Sequence, residues 1–289
     1  MHIVRRPLFV ILAWIFCCPL APAGEEGPHS VNISWETDYL HAMDVANRQR
    51  KMLLIFFRNP DDPQSQRLES ETLASAAVQQ KLQEFVCLRL PLDARIALDG
   101  KDVALLGHPT LCEMLDRPGV AIADFAHADP KLHGYIVSVF PLTANLFYGP
   151  AEMKVILDLP PGTLTQRTLI YAVRIHPEKP ASALGCPDCR LLAEAESHSQ
   201  YQAYIRVQGH HGWGARFPRI AAMLGCSPRE VCAESWPRQS MVESAIECVR
   251  CWRLSSGHWS AVQAPNRAFG YDMKRGDNGV WYATGIVAE

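Results

Sequence analysis

Residues 52–57 read Met-Leu-Leu-Ile-Phe-Phe, an apolar run of strand length with no polar interruption. A strand that faced water on one side would alternate apolar and polar residues. A continuous run therefore predicts a central strand covered on both faces, as in layered α/β folds. Residues 85–90 and 120–125 repeat the pattern, the second run introduced by Pro118-Gly119, and residues 135–140 give a fourth strand. Between them lie helical patterns. Trp35, Tyr39, Ala42 and Ala46 recur at three- and four-residue spacing, and a second helix is expected over residues 68–84. Thr163 with Gln166 forms a capping box that opens a helix reaching about Arg174. The order predicts an α/β layer architecture over residues 32–178.

Residues 1–23 carry a different message. Arg5 and Arg6 precede an apolar run at residues 8–18, too short to span a bilayer, and Ala21-Pro22-Ala23 fits the small-x-small cleavage rule. A cleaved export signal is expected, with an uncleaved anchor as the alternative. The expected location is secreted, or periplasmic and cell-envelope, with no membrane span once the leader is removed. Net charge is −2 and no run of Lys or Arg exceeds two residues. That argues against nucleic acid as the partner, because phosphate neutralisation needs a basic face.

Export changes the meaning of the cysteines. Outside Cys17 and Cys18 there are eight, an even number that suggests disulfides in an oxidising compartment. Cys186/Cys189 and Cys248/Cys251 stand in Cys-x-x-Cys spacing, with Cys226 and Cys232 between them. These six are the disulfide candidates. Zinc held by the two Cys-x-x-Cys pairs is the competing reading. Cys87 is expected as a small core residue or a partner of Cys112.

Residues 179–188 read as a linker, with Pro177 and Pro180 closing the preceding helix. Beyond it, Leu191, Leu192, Ala195, Ser199, Ala203 and Val207 mark a long helix, and Arg216, Phe217 and Ile220 a short one. Ser240 and Glu243 form a second capping box, opening a helix with Val242, Ala245, Ile246, Val249 and Trp252 on its buried stripe and Gly257 at its end. Residues 269–272 and 280–285 form a hairpin through Asn278-Gly279. A small three-layer α-β-α sandwich is expected over residues 189–289.

Two resemblances follow. The helix with its Ala pair, Lys51, the buried strand, and Pro118 before the third strand resemble the thioredoxin-like fold. That family's Cys-x-x-Cys follows the first long strand, where this chain has Arg58-Asn59-Pro60-Asp61-Asp62-Pro63. The resemblance thus implies a scaffold without dithiol chemistry and places Pro118 at the family's cis-proline.

Residues 189–289 resemble the CAP superfamily of cysteine-rich secretory, antigen 5 and pathogenesis-related 1 proteins. The marks are His198-Ser199-Gln200 in a long helix, a His soon after it, Ala233-Glu234-Ser235, and Trp252-Arg253-Leu254-Ser255-Ser256-Gly257-His258. The resemblance implies a cleft cluster of His210 (or His211), Glu234 and His258. A second Glu of many animal members is replaced by Ser255.

Two imidazoles and a carboxylate suffice to hold zinc with an open position. The bland alternative makes His258 a cation at a helix C-terminus and Glu234 a hydrogen-bond acceptor. The expected function is a non-catalytic binding protein, its cleft taking a divalent metal such as zinc, a small molecule or an envelope component, with a protein partner also open. The alternatives are a metal-assisted hydrolase using the same residues and a structural interaction module.

Overall fold

The computed structural model describes residues 33–98 and 100–289. The expected export signal and Cys17 and Cys18 lie outside the described residues.

The apolar runs become the sheet that they predict. Strands β1 (Trp35–Glu36), β2 (Met52–Arg58), β3 (Phe85–Pro91), β6 (Gly119–Ala123) and β7 (Ile136–Pro141) form one five-stranded sheet in the order β1-β3-β2-β6-β7. β3 runs parallel to both β1 and β2, while β6 and β7 are antiparallel additions. Leu53 to Phe57 are all fully buried, as a strand covered on both faces requires. β4 (Arg95–Leu98) and β5 (Lys101–Ala104) make a separate hairpin.

The first helix is shorter than its periodicity suggests. Trp35 belongs to β1, and α1 (Tyr39–Gln49) starts only after Asp38, whose carboxylate accepts from His41 N at 2.7 Å. The single helix expected over 68–84 is broken. α2 (Pro63–Arg67) runs into a π-helical turn at Leu68–Leu73, and α3 (Ala76–Leu82) restarts after Ser75. Thr72, fully buried, donates from Oγ1 to the carbonyl of Tyr148 at 2.9 Å, which ties the break to the core. No peptide bond among the described residues is cis, so Pro118 departs from the cis-proline that the resemblance implies.

After α4 (Pro150–Leu157), α5 (Leu164–Ile175) forms with both capping-box bonds in place. The second sheet has the order β8-β10-β11-β9, built from β8 (Cys186–Pro187), β9 (Pro228–Glu234), β10 (Ala268–Arg275) and β11 (Trp281–Ala288). Helix α6 (Cys189–Ile205) packs on β10 and β11. It comes so close that a Cβ at Gly270 would overlap the carbonyl of Leu191. α7 (Trp213–Leu224) follows and extends well beyond the short helix expected there. α8 (Met241–Leu254) closes the other face with its capping box formed, and α9 (Ser256–Gln263) follows directly. The chain therefore has the mixed α/β architecture that the sequence predicts.

Residues 179–188 are woven into the structure. Ala181 N donates to Gln263 O at 3.1 Å, Ser182 Oγ meets Tyr271 OH at 2.6 Å, and Cys186 pairs with Ala268. α5 packs against the first sheet and also against α8 and β10, and one buried apolar cluster runs through both halves.

Candidate functional site

The second sheet and its helices converge on one cluster. β9 brings Glu230 and Cys232 to the same face, since side chains two apart along a strand point the same way. α6 presents the buried His198 to that face. The loop after α6 carries His210 and is pinned from below. Gln202 Oε1 accepts from Gly209 N at 3.0 Å, and His198 Nε2 meets Gly209 O at 2.9 Å. α9 supplies His258 from its first turn.

The contacts define an ordered chain of groups. His210 Nδ1 lies 3.0 Å from Glu230 Oε1, and His210 Nε2 lies 3.1 Å from His258 Nε2. Arg216 of α7 ion-pairs with the other carboxylate oxygen of Glu230, and His198 Nε2 is 3.9 Å from Oε1. A carboxylate can only accept, so His210 donates through Nδ1. Its Nε2 is then a lone pair, and His258 Nε2 is the donor between the two rings.

The charges follow from these neighbours. Burial pushes the Glu230 carboxyl up, but the hydrogen bond from His210 and the charges of His198 and Arg216 outweigh it and hold it below its ordinary value. Burial holds His258 below the ordinary imidazole value, the neighbouring His210 ring adds to this, and Glu230 opposes it. His198 is lowered mainly by burial as well. The cluster thus pairs one carboxylate with one guanidinium and keeps His198 and His258 toward the neutral form.

The sequence-predicted residues divide. His210 and His258 meet. His211 points elsewhere, with Nε2 3.2 Å from the Val207 carbonyl, and lines a neighbouring cleft of about 280 Å³ with His198, Tyr201 and Arg216. Glu234 is not the acidic member. It is exposed at the end of β9, four residues or about 13 Å along the strand from Glu230. Glu230 takes the place expected for it, and Arg216 and His198 join the cluster without having been foreseen.

The helix-end reading of His258 is also corrected. The helix expected to end at Gly257 stops at Ser255, whose side chain caps α9. His258 therefore stands at a helix N-terminus, where a cation is disfavoured, rather than at a C-terminus, where one is welcome.

The eight cysteines among the described residues are all free thiols, against the disulfides expected from their number. Residues 186–188 are extended, since Cys186 and Pro187 pair in β8 and Asp188 has β-region angles. Three extended steps separate the Cα atoms of Cys186 and Cys189 by about 10 Å, beyond the roughly 7 Å that a bridge tolerates. Cys248 and Cys251 lie within one helix, and Cys251 Sγ rests 3.7 Å from Glu247 Oε1.

A family model described as thioredoxin-like matches residues 34–97. The matched stretch carries β1, α1, β2 and β3, the part of the first sheet that the sequence reading identified. No match to a CAP family accompanies it. No curated protein matches the chain. Among the described residues, no helix is long and apolar enough to cross a membrane.

Proposed function

We propose that the chain is an exported, non-catalytic binding protein of the cell envelope or extracellular space. Its C-terminal half is CAP-like and uses the His210–His258 pair to hold a divalent metal that presents its two remaining positions to a small ligand. The observation that carries this reading is the 3.1 Å separation of the two Nε2 atoms, with Glu230 on the far nitrogen of His210.

The donor set fits a metal such as zinc at that pair once His258 carries its proton on Nδ1 instead of Nε2, since a ligating nitrogen must offer a lone pair. Two nitrogens each about 2.0 Å from a tetrahedral ion stand about 3.3 Å apart, close to the spacing seen. Ligating histidines characteristically donate their other ring nitrogen to a carboxylate, and Glu230 does this for His210. The deeper group of His198, Glu230 and Cys232 brings ligand atoms within 4.8 Å of one another but fits less well. His198 is engaged by Gly209, Glu230 by Arg216, and burial pushes the Cys232 thiol well up, which keeps it protonated.

Binding is favoured over hydrolysis because Glu230 is committed to Arg216 and His210. It has no position from which to take a proton from water. Export rests on the leader pattern of residues 1–23.

The test is zinc titration of the full chain by calorimetry, repeated with His258→Ala. One zinc bound by the parent and lost in the variant, with the melting temperature of the metal-free protein little changed, supports the reading. Equal zinc binding by both would remove it.

A further inference from the structure

A second constellation lies at the opposite end of the first sheet from residues 58–63. β6 is antiparallel to β2, with Leu53 opposite Ala123, so the segment after Ala123 and the α1–β2 connection meet at the Met52 end. They line a solvent-open cleft of about 590 Å³ whose walls include Asn47, Arg50, Phe125, His127, Pro130 and His133. About 20 Å of strand separates it from the loop where thioredoxin-like chains keep their cysteines.

The cleft is built around a buried carboxylate that faces away from it. Asp124 is fully buried, and its Oδ1 accepts from Ala126 N at 2.9 Å and His127 N at 3.0 Å. Its Oδ2 holds His127 Nδ1 at 2.8 Å. His133 is fixed in the same manner, with Nδ1 3.0 Å from the His127 carbonyl and its ring edge-on to Phe125 at 5.7 Å. Both histidines thus have one nitrogen anchored, and the Nε2 of each has no hydrogen-bond partner among the described residues.

Arg50 completes the set. It sits at φ 50° at the end of α1, a conformation that non-glycine residues seldom adopt, and its side chain makes no ion pair among the described residues. Among the described residues, no carboxylate lines the cleft. Each anchored histidine donates through Nδ1 and turns a lone pair inward, so Arg50 and the Asn47 amide are the donors, and the guanidinium decides between a cation and an anion. A metal drawn by the two imidazoles would face the guanidinium unshielded. A compact anion would meet Arg50 and the Asn47 amide, and a head that also carries a hydroxyl would donate to an imidazole Nε2.

We propose that this cleft binds a small organic anion, a carboxylate or phosphate head carried on an apolar or aromatic body. Arg50 holds the head, His127 and His133 orient it, and Phe125 and Pro130 receive the body. The volume falls within the range of small-molecule sites, and a few convergent polar groups on an apolar wall is the composition such sites have.

The experiment is an amide-resolved NMR titration of the full chain with phenyl phosphate, benzoate, benzyl alcohol and inorganic phosphate. Saturable shifts confined to Asn47, Arg50 and residues 124–134 are expected with phenyl phosphate or benzoate, and the tighter of the two identifies the head group. Arg50→Gln is expected to weaken that binding about tenfold or more, the scale of a lost charge-assisted hydrogen bond, and His133→Gln to weaken it about threefold. The proposal is overturned if neither aromatic anion gives saturable shifts there. Unchanged affinity in both variants overturns it too. So does benzyl alcohol or inorganic phosphate binding as tightly as the aromatic anions.

Discussion

His210 and His258 lie 48 residues apart in the chain and meet nitrogen to nitrogen at 3.1 Å. One comes from a loop that α6 pins down and the other from the first turn of α9. Glu230 claims the other nitrogen of His210, which sets the tautomer of that ring and, while no metal lies between them, that of His258 as well.

The two glutamates of β9 are therefore expected to behave differently. Glu230→Gln keeps the shape but replaces the charged acceptor that orients His210 and pairs with Arg216 by a neutral amide, and zinc affinity is expected to fall about 10- to 100-fold. Glu234→Gln is expected to leave it unchanged, since Glu234 is exposed and remote. Competition with a chromophoric chelator measures both. Equal losses would place the acidic member back at Glu234.

Stability is expected to fall on acidification in two stages. His198 and His258 have folded-state values below the ordinary 6.5, so the unfolded chain binds protons first as pH drops. Their contribution is complete above about pH 6.5 and is lost as pH falls toward their folded values. Glu230, also depressed, adds a contribution that is complete above about pH 4.3 and fades below it. Urea melts from pH 8 to pH 4 read the first stage, and His258→Gln should flatten it. A flat parent profile from pH 7 to pH 5 would contradict the assignment.

The thiols are expected to sort by access. Cys112, Cys186 and Cys189 are exposed and should react rapidly with iodoacetamide in the native, unreduced protein. Cys87, Cys232 and Cys248 are buried, and burial pushes the Cys87 thiol up to about 12, so they should react only after denaturation. Mass spectrometry of labelled peptides counts them. Protection of Cys186 and Cys189 that disappears on reduction would instead reveal disulfides.

Gly270→Ala tests the packing of α6. The added methyl would fall on the Leu191 carbonyl, which is backbone and cannot rotate aside. A loss of about 3 kcal/mol is expected in chemical denaturation, at the upper end of ordinary overpacking. A loss below half of that would mean that α6 can lift from β10 at little cost.

The first sheet was legible because its strands are covered on both faces and leave unbroken apolar runs, such as Met52 to Phe57. The capping boxes at Thr163 and Ser240 were legible because both partners lie three residues apart. β9 was not. Pro228-Arg229-Glu230-Val231-Cys232-Ala233-Glu234 mixes charge, thiol and small residues, so no apolar run announces a strand. Without the strand, nothing ranked Glu230 above Glu234, which alternation places on the same face. The usable signal was the Gly225-Cys226 turn just before Pro228, which marks where a strand could start. His258 was assigned to a helix end because Gly257 looks like a terminator. The preceding Ser255, as a cap, restarts the helix first. Arg216 and His198 belong to other elements, and only the folded arrangement brings them to Glu230.

Helix α5 has a further consequence. Its Thr165 hydroxyl donates to Asp272 of β10 at 2.5 Å, its Thr168 hydroxyl rests 3.9 Å from the Met241 sulfur of α8, and its other side seals the first sheet. It is a party wall, and neither room can be demolished without opening the other. A cut within residues 179–188 would leave each fragment with an apolar face to hide. The chain should accordingly melt in a single cooperative transition, and a ligand held by either half would strengthen both.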